Sequence, residues 1–167
     1  MARTAKPDST IVFQGLPGAY SHLACRHVFP KMYARPCQTF EDMLGAVRTG
    51  RAKYAMTPVE NSVAGRVADI HRLLPESGLF VVGEHFMRVN HHLLAPKGAS
   101  LKTIRIVRSH VHALAQCRRT IRELGLKAIV HADTAGAAAE LAEKGDVTEA
   151  AIASSLAADI YGLKSLR

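Results

Sequence analysis

The chain has 167 residues, 48% of them hydrophobic and 22% charged, and its formal net charge at pH 7 is +8. This composition suffices for a hydrophobic core and excludes an extensively disordered chain. No apolar run reaches the ~20 residues of a membrane span, and the first residues lack the apolar segment of a secretory signal. We therefore expect a cytoplasmic protein without a membrane partner.

Apolar runs in the first half predict two strands and three helices. The strands are expected at 11–15 and 52–59, and the helices at 21–29, 40–49 and 67–75. The second helix is the best marked, because Thr39 can cap it, Glu41 and Asp42 lie in its first turn, and Gly50 can end it. Residues 79–95 are predicted to be extended and to cross between two lobes.

The second half alternates between predicted strands and helices. Strands are expected at 103–107, 128–131 and 150–153, and helices at 111–124, from Asp133 or Thr134 to Lys144, and at 154–161. Gly125 and Gly162 are placed to end the first and last of these helices. Such alternation predicts parallel sheets covered by helices on both faces.

The cysteines, histidines and basic residues give little indication of a disulfide framework, a metal site or a nucleic-acid partner. Three cysteines lie far apart without a CxxC spacing, which favours reduced thiols over a disulfide framework. The histidine pairs at 91–92 and 110–112 lack the companion ligands of a zinc signature, so we expect no metal. The positive charge indicates an acidic partner, but only 5% of residues are aromatic and they do not alternate with basic ones. We therefore expect no nucleic-acid partner.

Small polar residues follow most of the predicted strands. They stand at 15–21, 60–62, 109–110, 133–136 and 154–155. In parallel sheets such junctions lie at the carboxyl edge, where ligands bind, and each predicted helix start attracts anions. Simple helix capping explains any one junction, but Glu60-Asn61-Ser62 has more polar residues than one cap needs. The pattern predicts a crevice for a small anion, lined by loops from two lobes.

Five segments, in the same order, resemble prephenate dehydratase. They are FQGLPGAYSHLA at 13–24, TPVENSVAGRVADIHRLL at 57–74, RIVRSHVHALAQCRRTI at 105–121, DTAGAA at 133–138 and AAIASSLAADIYGL at 150–163. The resemblance implies a two-lobed α/β fold like that of type II periplasmic binding proteins, with mostly parallel sheets and an inter-lobe cleft. On this basis we expect a flexible N-terminus at 1–8, a first lobe at 9–85 and a second lobe at 86–167.

The same resemblance implies an activity and a set of site residues. The reaction is the conversion of prephenate to phenylpyruvate, water and carbon dioxide in phenylalanine biosynthesis, without a cofactor. Glu60 is expected to donate a proton or to orient the donor, and Ser109 is the second expected catalytic residue. If Glu60 is the acid, burial must raise its pKa above about 4.3; the alternative is an exposed carboxylate at a helix start. The expected substrate contacts are Gly18, Ala19, Tyr20, Ser21, Asn61, Ser62, Gln116 and Thr134.

The sequence also departs from the family pattern. It contains no Thr-Arg-Phe motif, whose threonine the family holds to be essential, and no regulatory ACT domain. We therefore expect this chain alone to be weakly active or inactive, and a full-length protein to form a homo-oligomer. Two alternatives remain open: a non-catalytic module that binds an aromatic keto acid or amino acid, and a nucleic-acid binder whose affinity falls steeply with salt.

Overall fold

A computed structural model describes residues 6–167 of the chain, which form two compact units. Within these residues, the first unit comprises positions 6–16 together with Tyr20–Met87, and the second comprises Pro17–Ala19 together with Arg88–Arg167. Most of the flexible N-terminus expected at 1–8 lies outside the described residues, and Pro7–Ser9 form one turn of 3₁₀ helix. No helix within residues 6–167 combines the length and apolar character that a bilayer crossing requires.

The first unit is built on a three-stranded parallel sheet with the strand order β2-β1-β3. Its strands are β1 (Thr10–Gln14), β2 (Tyr33–Cys37) and β3 (Tyr54–Met56), and a hairpin is formed by β4 (Glu60–Asn61) and β5 (Gly65–Arg66). Its helices are α1 (Tyr20–Val28), α2 (Phe40–Arg48) and α3 (Ala68–Glu76). The central strand β1 is buried because its apolar residues meet helices on both faces of the sheet.

Helix α2 follows the sequence signals closely. The Thr39 side-chain oxygen accepts a hydrogen bond from the Asp42 backbone N–H at 3.0 Å, which satisfies one of the N–H groups left free at a helix start. Gly50 follows the helix with φ of +68°, a conformation that glycine adopts without a side-chain clash. Both ends of this helix confirm the prediction.

Two predictions for the first unit were wrong. Strand β2 was missed because its sequence, YARPC, contains no apolar run and includes a proline, which suits an edge strand. Residues 60–66 form a hairpin and do not open a helix. The stretch expected at 79–95 does pass from the first unit to the second, between Met87 and Arg88. Within it, residues 79–91 form neither helix nor strand, and Phe80 and Phe86 are 89% and 86% exposed.

The second unit contains a five-stranded mixed sheet with the order β10-β6-β9-β7-β8. Its strands are β6 (His92–Ala95), β7 (Ile106–Ser109), β8 (Lys127–Val130), β9 (Glu149–Ala153) and β10 (Lys164–Ser165). Its helices are α4 (Val111–Gln116), α5 (Arg118–Glu123), α6 (Thr134–Lys144) and α7 (Ser155–Tyr161). Strand β7 runs parallel to β8 and β9, whereas β6 is antiparallel to both β9 and β10.

The predicted parallel pairing is present where β7 lies between β8 and β9. An apolar run does not indicate the direction of a strand, and the antiparallel return of β6 against β9 makes the sheet mixed. One prediction for this unit was wrong. The helix expected at 111–124 is divided at Cys117, whose φ and ψ of −97° and 7° leave the helical range. The helices ended by Gly125 and Gly162 stop where they were predicted to stop.

A buried ion pair joins two central strands of the second unit. The Arg108 guanidinium on β7 donates to both carboxylate oxygens of Glu149 on β9, at 2.7 and 2.9 Å. The two side chains are diagonal neighbours on one face, because Arg108 is paired with Ala151, two residues beyond Glu149. This hydrogen bond from Arg108 lowers the pKa of the Glu149 carboxyl below its ordinary value, against the opposing effect of burial.

Candidate functional site

Three polar junctions of the second unit meet at one edge of its sheet. Strands β7, β8 and β9 run in the same direction, and Ser109 at the end of β7 is level with Val130 at the end of β8. The backbone N–H of His131 also donates to the carbonyl of Ser109 at 2.8 Å. The prediction that these junctions share the carboxyl edge is confirmed for this unit.

Ser109 is part of the sheet framework at this edge. Its side chain is 0% exposed, and its hydroxyl donates to the carbonyl of Ile152 on β9 at 2.6 Å. A hydroxyl that contacts a substrate must be accessible to it, and the Ser109 hydroxyl is buried in this structure. Its hydrogen bond to the Ile152 carbonyl instead helps to hold β7 to β9. Its catalytic role stays a prediction.

The start of α6 holds a compact polar group. The Asp133 carboxylate accepts the N–H of Gly136 at 2.6 Å and so caps the helix, as predicted, while Thr134 is the first helical residue and is half-buried. His131 lies 3.2 Å from the carboxylate of Glu140. A Cβ on Gly136 would lie 2.7 Å from the Asp133 carboxylate, so a larger residue there would displace the side chain that caps the helix.

Gln116 has a partner that the sequence does not indicate. It is the last residue of α4, and its side-chain oxygen lies 2.7 Å from Nε2 of His91, which precedes β6. The two residues are 25 positions apart, so no local pattern could have linked them. The contact restricts the orientation of the Gln116 amide, which was expected to meet the substrate.

The glycine-rich loop at 15–21 contributes Pro17–Ala19 to the second unit. Gly18 is buried with φ of +94°, and a Cβ there would lie 2.9 Å from the Cα and Cβ of Ala157 on α7. Its carbonyl accepts a hydrogen bond from the Ser154 hydroxyl at 2.5 Å, and the carbonyl of Pro17 accepts one from the Tyr161 hydroxyl at 2.8 Å. Ala19, the next predicted contact, is half-buried.

The remaining predicted residues belong to the first unit. Tyr20 and Ser21 form the start of α1 and are half-buried. Glu60 and Ser62 are exposed, and Asn61 is half-buried within the β4–β5 hairpin. Glu60 thus agrees with the alternative left open for it, an exposed carboxylate, although it lies in a hairpin and not at a helix start. Its role as a proton donor stays a prediction.

Asn61 shows why this segment is polar. Its side-chain oxygen accepts the backbone N–H groups of Val63 and Ala64, both at 2.9 Å, and so shapes the turn between β4 and β5. Asparagine is favoured in such turns because its short side chain can satisfy the following backbone N–H groups. The polar run therefore builds a hairpin, where the sequence predicted a helix start.

Substitution can separate the structural role of Asn61 in the turn from its predicted contact with the substrate. Asn61→Asp keeps an oxygen that accepts both N–H groups, so the stability of the chain should change little. Asn61→Ala loses both bonds and should cost about 1–2 kcal/mol of unfolding free energy. If the amide also contacts a substrate carboxylate, Asn61→Asp should weaken prephenate binding at least tenfold through charge repulsion. Chemical unfolding and calorimetric titration measure the two effects, and equal binding by Asn61→Asp and wild type contradicts the contact.

The cysteines are not placed as nucleophiles. Burial raises the pKa of Cys25 to about 12, and burial also raises the pKa of Cys117. Within residues 6–167, no three histidine, cysteine, aspartate or glutamate side chains are grouped so that they could hold a metal ion.

The fold of this α/β chain is similar to that of solved structures. It aligns with a prephenate dehydratase from Arthrobacter aurescens, in complex with L-Phe, with a TM-score of 0.87 and 31% identity, over 95% of this chain and 54% of that chain. A quorum-quenching acylase aligns with a TM-score of 0.89 and 54% identity, over 95% of this chain and 58% of that one. The fold is therefore of the type II periplasmic-binding-protein class, as predicted.

The chain belongs to the prephenate dehydratase family, whose sequence profile matches residues 11–167. A curated relative, a bifunctional N-acyl-homoserine lactone acylase/prephenate dehydratase from Komagataeibacter europaeus, is 54% identical over 160 residues. That alignment covers 96% of this chain and 57% of the relative. The chain thus spans little more than half the length of this relative.

Proposed function

We propose that this chain is the catalytic part of a prephenate dehydratase, converting prephenate to phenylpyruvate, carbon dioxide and water for phenylalanine biosynthesis. The observation that carries the proposal is the family match over residues 11–167, which includes every polar junction described above. The proposed substrate is a dicarboxylate, which suits the positive net charge of +8.

The reaction needs one proton and no redox step. The bond between the ring and its carboxylate breaks, and carbon dioxide leaves. The released electron pair moves into the ring, which becomes aromatic as the C–O bond to the ring hydroxyl breaks. A proton delivered to that oxygen makes water the leaving group. Because aromatisation supplies the driving force, the protein has to bind, orient and protonate the substrate.

The proposed roles follow from these requirements. Backbone N–H groups of Gly18–Tyr20, with Ser21, Asn61 and Ser62, are proposed to bind substrate carboxylates. Gln116 and Thr134 are proposed as further contacts, and Ser109 supports them by holding β7 to β9. Glu60 is proposed as the proton donor or as the group that orients it. Since Glu60 is exposed in this structure, an acid role requires the bound substrate to desolvate it.

Substituting Glu60 tests the proton-delivery role. Glu60→Gln should lower kcat by about 10²–10⁴-fold, the usual contribution of a general acid. The fold should be unchanged, because the side chain is exposed. Phenylpyruvate formation is followed by its absorbance, and Glu76→Gln, an exposed carboxylate at the end of α3, is the matched control. Turnover equal to wild type removes Glu60 from the mechanism.

A comparison with the relative from K. europaeus tests the function itself. Both proteins are assayed with prephenate, and binding to this chain is measured by calorimetry. Turnover by this chain supports the proposal. Because this chain alone is expected to be weakly active or inactive, a longer chain that adds a Thr-Arg-Phe segment is assayed beside it. Prephenate binding without turnover in both favours the binding-module alternative. Affinity for single- or double-stranded nucleic acid that falls steeply with salt instead favours the third alternative.

A second candidate function comes from the name of the same relative, which includes N-acyl-homoserine lactone acylase. Amide hydrolysis needs a nucleophile or an activated water. The hydroxyls of Ser109 and Ser154 donate to backbone carbonyls, and the Cys25 thiol is buried, so none of the three is placed for attack. The family match over residues 11–167 supports dehydration of prephenate as the preferred function. Release of homoserine lactone by this chain, at the rate of the relative, would reverse that order.

We also propose a cytoplasmic location and the association of full-length chains as a homo-oligomer. Light scattering of the purified protein over a range of concentrations measures the association, and a concentration-independent monomer mass contradicts it.

A further inference from the structure

Two side chains at opposite ends of α7 hold the backbone of the glycine-rich loop. Ser154, the N-cap, donates to the Gly18 carbonyl at 2.5 Å, and Tyr161, the last helical residue, donates to the Pro17 carbonyl at 2.8 Å. These partners lie 136 and 144 positions apart in the sequence. Two successive carbonyls are therefore fixed by one distant helix.

The Ser154 hydroxyl makes two bonds at once. It donates its proton to Gly18 and accepts the N–H of Ala157 at 3.1 Å, so the same oxygen caps α7 and holds the loop. A hydroxyl has one proton and two lone pairs, which permits both bonds. Its side chain is 0% exposed, so water does not compete for either bond.

Fixing the carbonyls also fixes the direction of the neighbouring N–H groups. The described peptides are all trans, and the C=O and N–H of a trans peptide point in opposite directions. With the Gly18 carbonyl directed at Ser154, the N–H of Ala19 is directed to the opposite side of the loop. A backbone N–H held in a set direction is a group that can bind an anion without prior reorganisation.

We infer that Ser154 and Tyr161 are positioning residues, which hold the loop so that the N–H of Ala19 meets a substrate carboxylate. The inference rests on the proposed function, because it takes the loop at Gly18–Tyr20 as part of the substrate site. Neither residue needs to touch the substrate. Both act through the backbone of Pro17 and Gly18, and losing either bond should loosen the loop.

Tyr161→Phe is the cleanest test, since it keeps the ring that packs against the core and removes only the hydroxyl. Amide hydrogen exchange in the loop, measured without substrate, should become at least fivefold faster, and KM for prephenate should rise about five- to tenfold with a smaller change in kcat. Ser154→Ala should have the larger effect on exchange, because it also removes the cap of α7. Tyr33→Phe and Ser165→Ala, at exposed positions, are the matched controls and should match wild type.

The outcomes separate this inference from the proposed function. Unchanged loop exchange in Tyr161→Phe overturns the inference, and so does faster exchange with an unchanged KM. A wild-type protein that neither binds nor converts prephenate overturns the proposed function. The exchange measurement does not depend on that result, and faster exchange in both variants would still support the anchoring of the loop.

Discussion

Gly18→Ala is expected to destabilise the second unit by about 3 kcal/mol, through two costs that act together. A residue with a Cβ is strained by about 1–3 kcal/mol at positive φ, and Gly18 has φ of +94°. The added methyl carbon would also lie 2.9 Å from the Cα and Cβ of Ala157, which are part of the first turn of α7 and cannot move aside as a flexible side chain could. Overpacking of this kind costs a further 1–3 kcal/mol or so.

The matched control is Gly45→Ala in α2. Gly45 lies inside a helix, and apart from its chain neighbours and the backbone of its own helix, no atom comes within 4 Å of a Cβ built there. Alanine is favoured over glycine in a helix interior by about 1 kcal/mol, so this variant should be more stable than wild type. Urea unfolding followed by circular dichroism measures both variants. A Gly18→Ala protein as stable as wild type would show that the loop does not lie against α7.

The second large effect is expected on breaking the Arg108–Glu149 pair. Glu149→Ala leaves the Arg108 guanidinium without its carboxylate in a place where that side chain is only 22% exposed. Removing one partner of a buried pair typically costs about 3–5 kcal/mol, and the partial exposure of Arg108 places this case at about 3 kcal/mol. The double variant Arg108→Met/Glu149→Leu should recover most of the loss, because it leaves no buried charge.

An exposed pair of the same chemistry serves as the control. Arg119 and Glu123 lie 2.8 Å apart on α5, but the Arg119 side chain is 91% exposed. Water already solvates both groups, so Glu123→Ala should change the stability little. Equal effects of Glu149→Ala and Glu123→Ala would contradict the importance of burial.

The buried pair also predicts a pH dependence. The pKa of Glu149 is lowered in the folded protein by the Arg108 hydrogen bond, so the folded state favours the ionised carboxylate. Its contribution is complete above the unfolded pKa of about 4.3 and is lost as pH falls through the lower folded pKa. The stability difference between wild type and Glu149→Gln should therefore be largest near pH 7 and shrink below about pH 4. A difference that grows on acidification contradicts this assignment.

The sequence predicts the parts of the fold that depend on contacts between residues a few positions apart, such as the starts of helices. Thr39 caps α2 through a residue three positions away, and Asp133 does the same for α6, so both helix starts were predictable. Strand β2 has no apolar run, because an edge strand is covered on fewer sides than a central one. Its existence depends on its pairing with β1, a contact between segments that are distant in sequence.

The candidate site likewise has features that the sequence predicted and features that depend on contacts between distant residues. The motifs predicted that residues 60–62 and the glycine-rich loop carry polar groups for a ligand, and Asn61 shows that such residues also serve the backbone. The bonds that hold the loop could not be predicted, since nothing near Tyr161 in the sequence indicates a partner at Pro17. The exposure of Glu60 depends on the turn of the hairpin, which the strand–helix pattern had not revealed.

The long separation between the glycine-rich loop and its anchor has a consequence for how the polypeptide is made. At 5–20 amino acids per second, a ribosome adds the 136 positions between Gly18 and Ser154 in roughly 7–27 s. By then β1, β2 and β3 have all been translated and can pair. The loop between β1 and α1 cannot form its hydrogen bond until Ser154 has been added. The second unit therefore forms its contact between α7 and the glycine-rich loop late, because α7 is translated long after the loop that it binds.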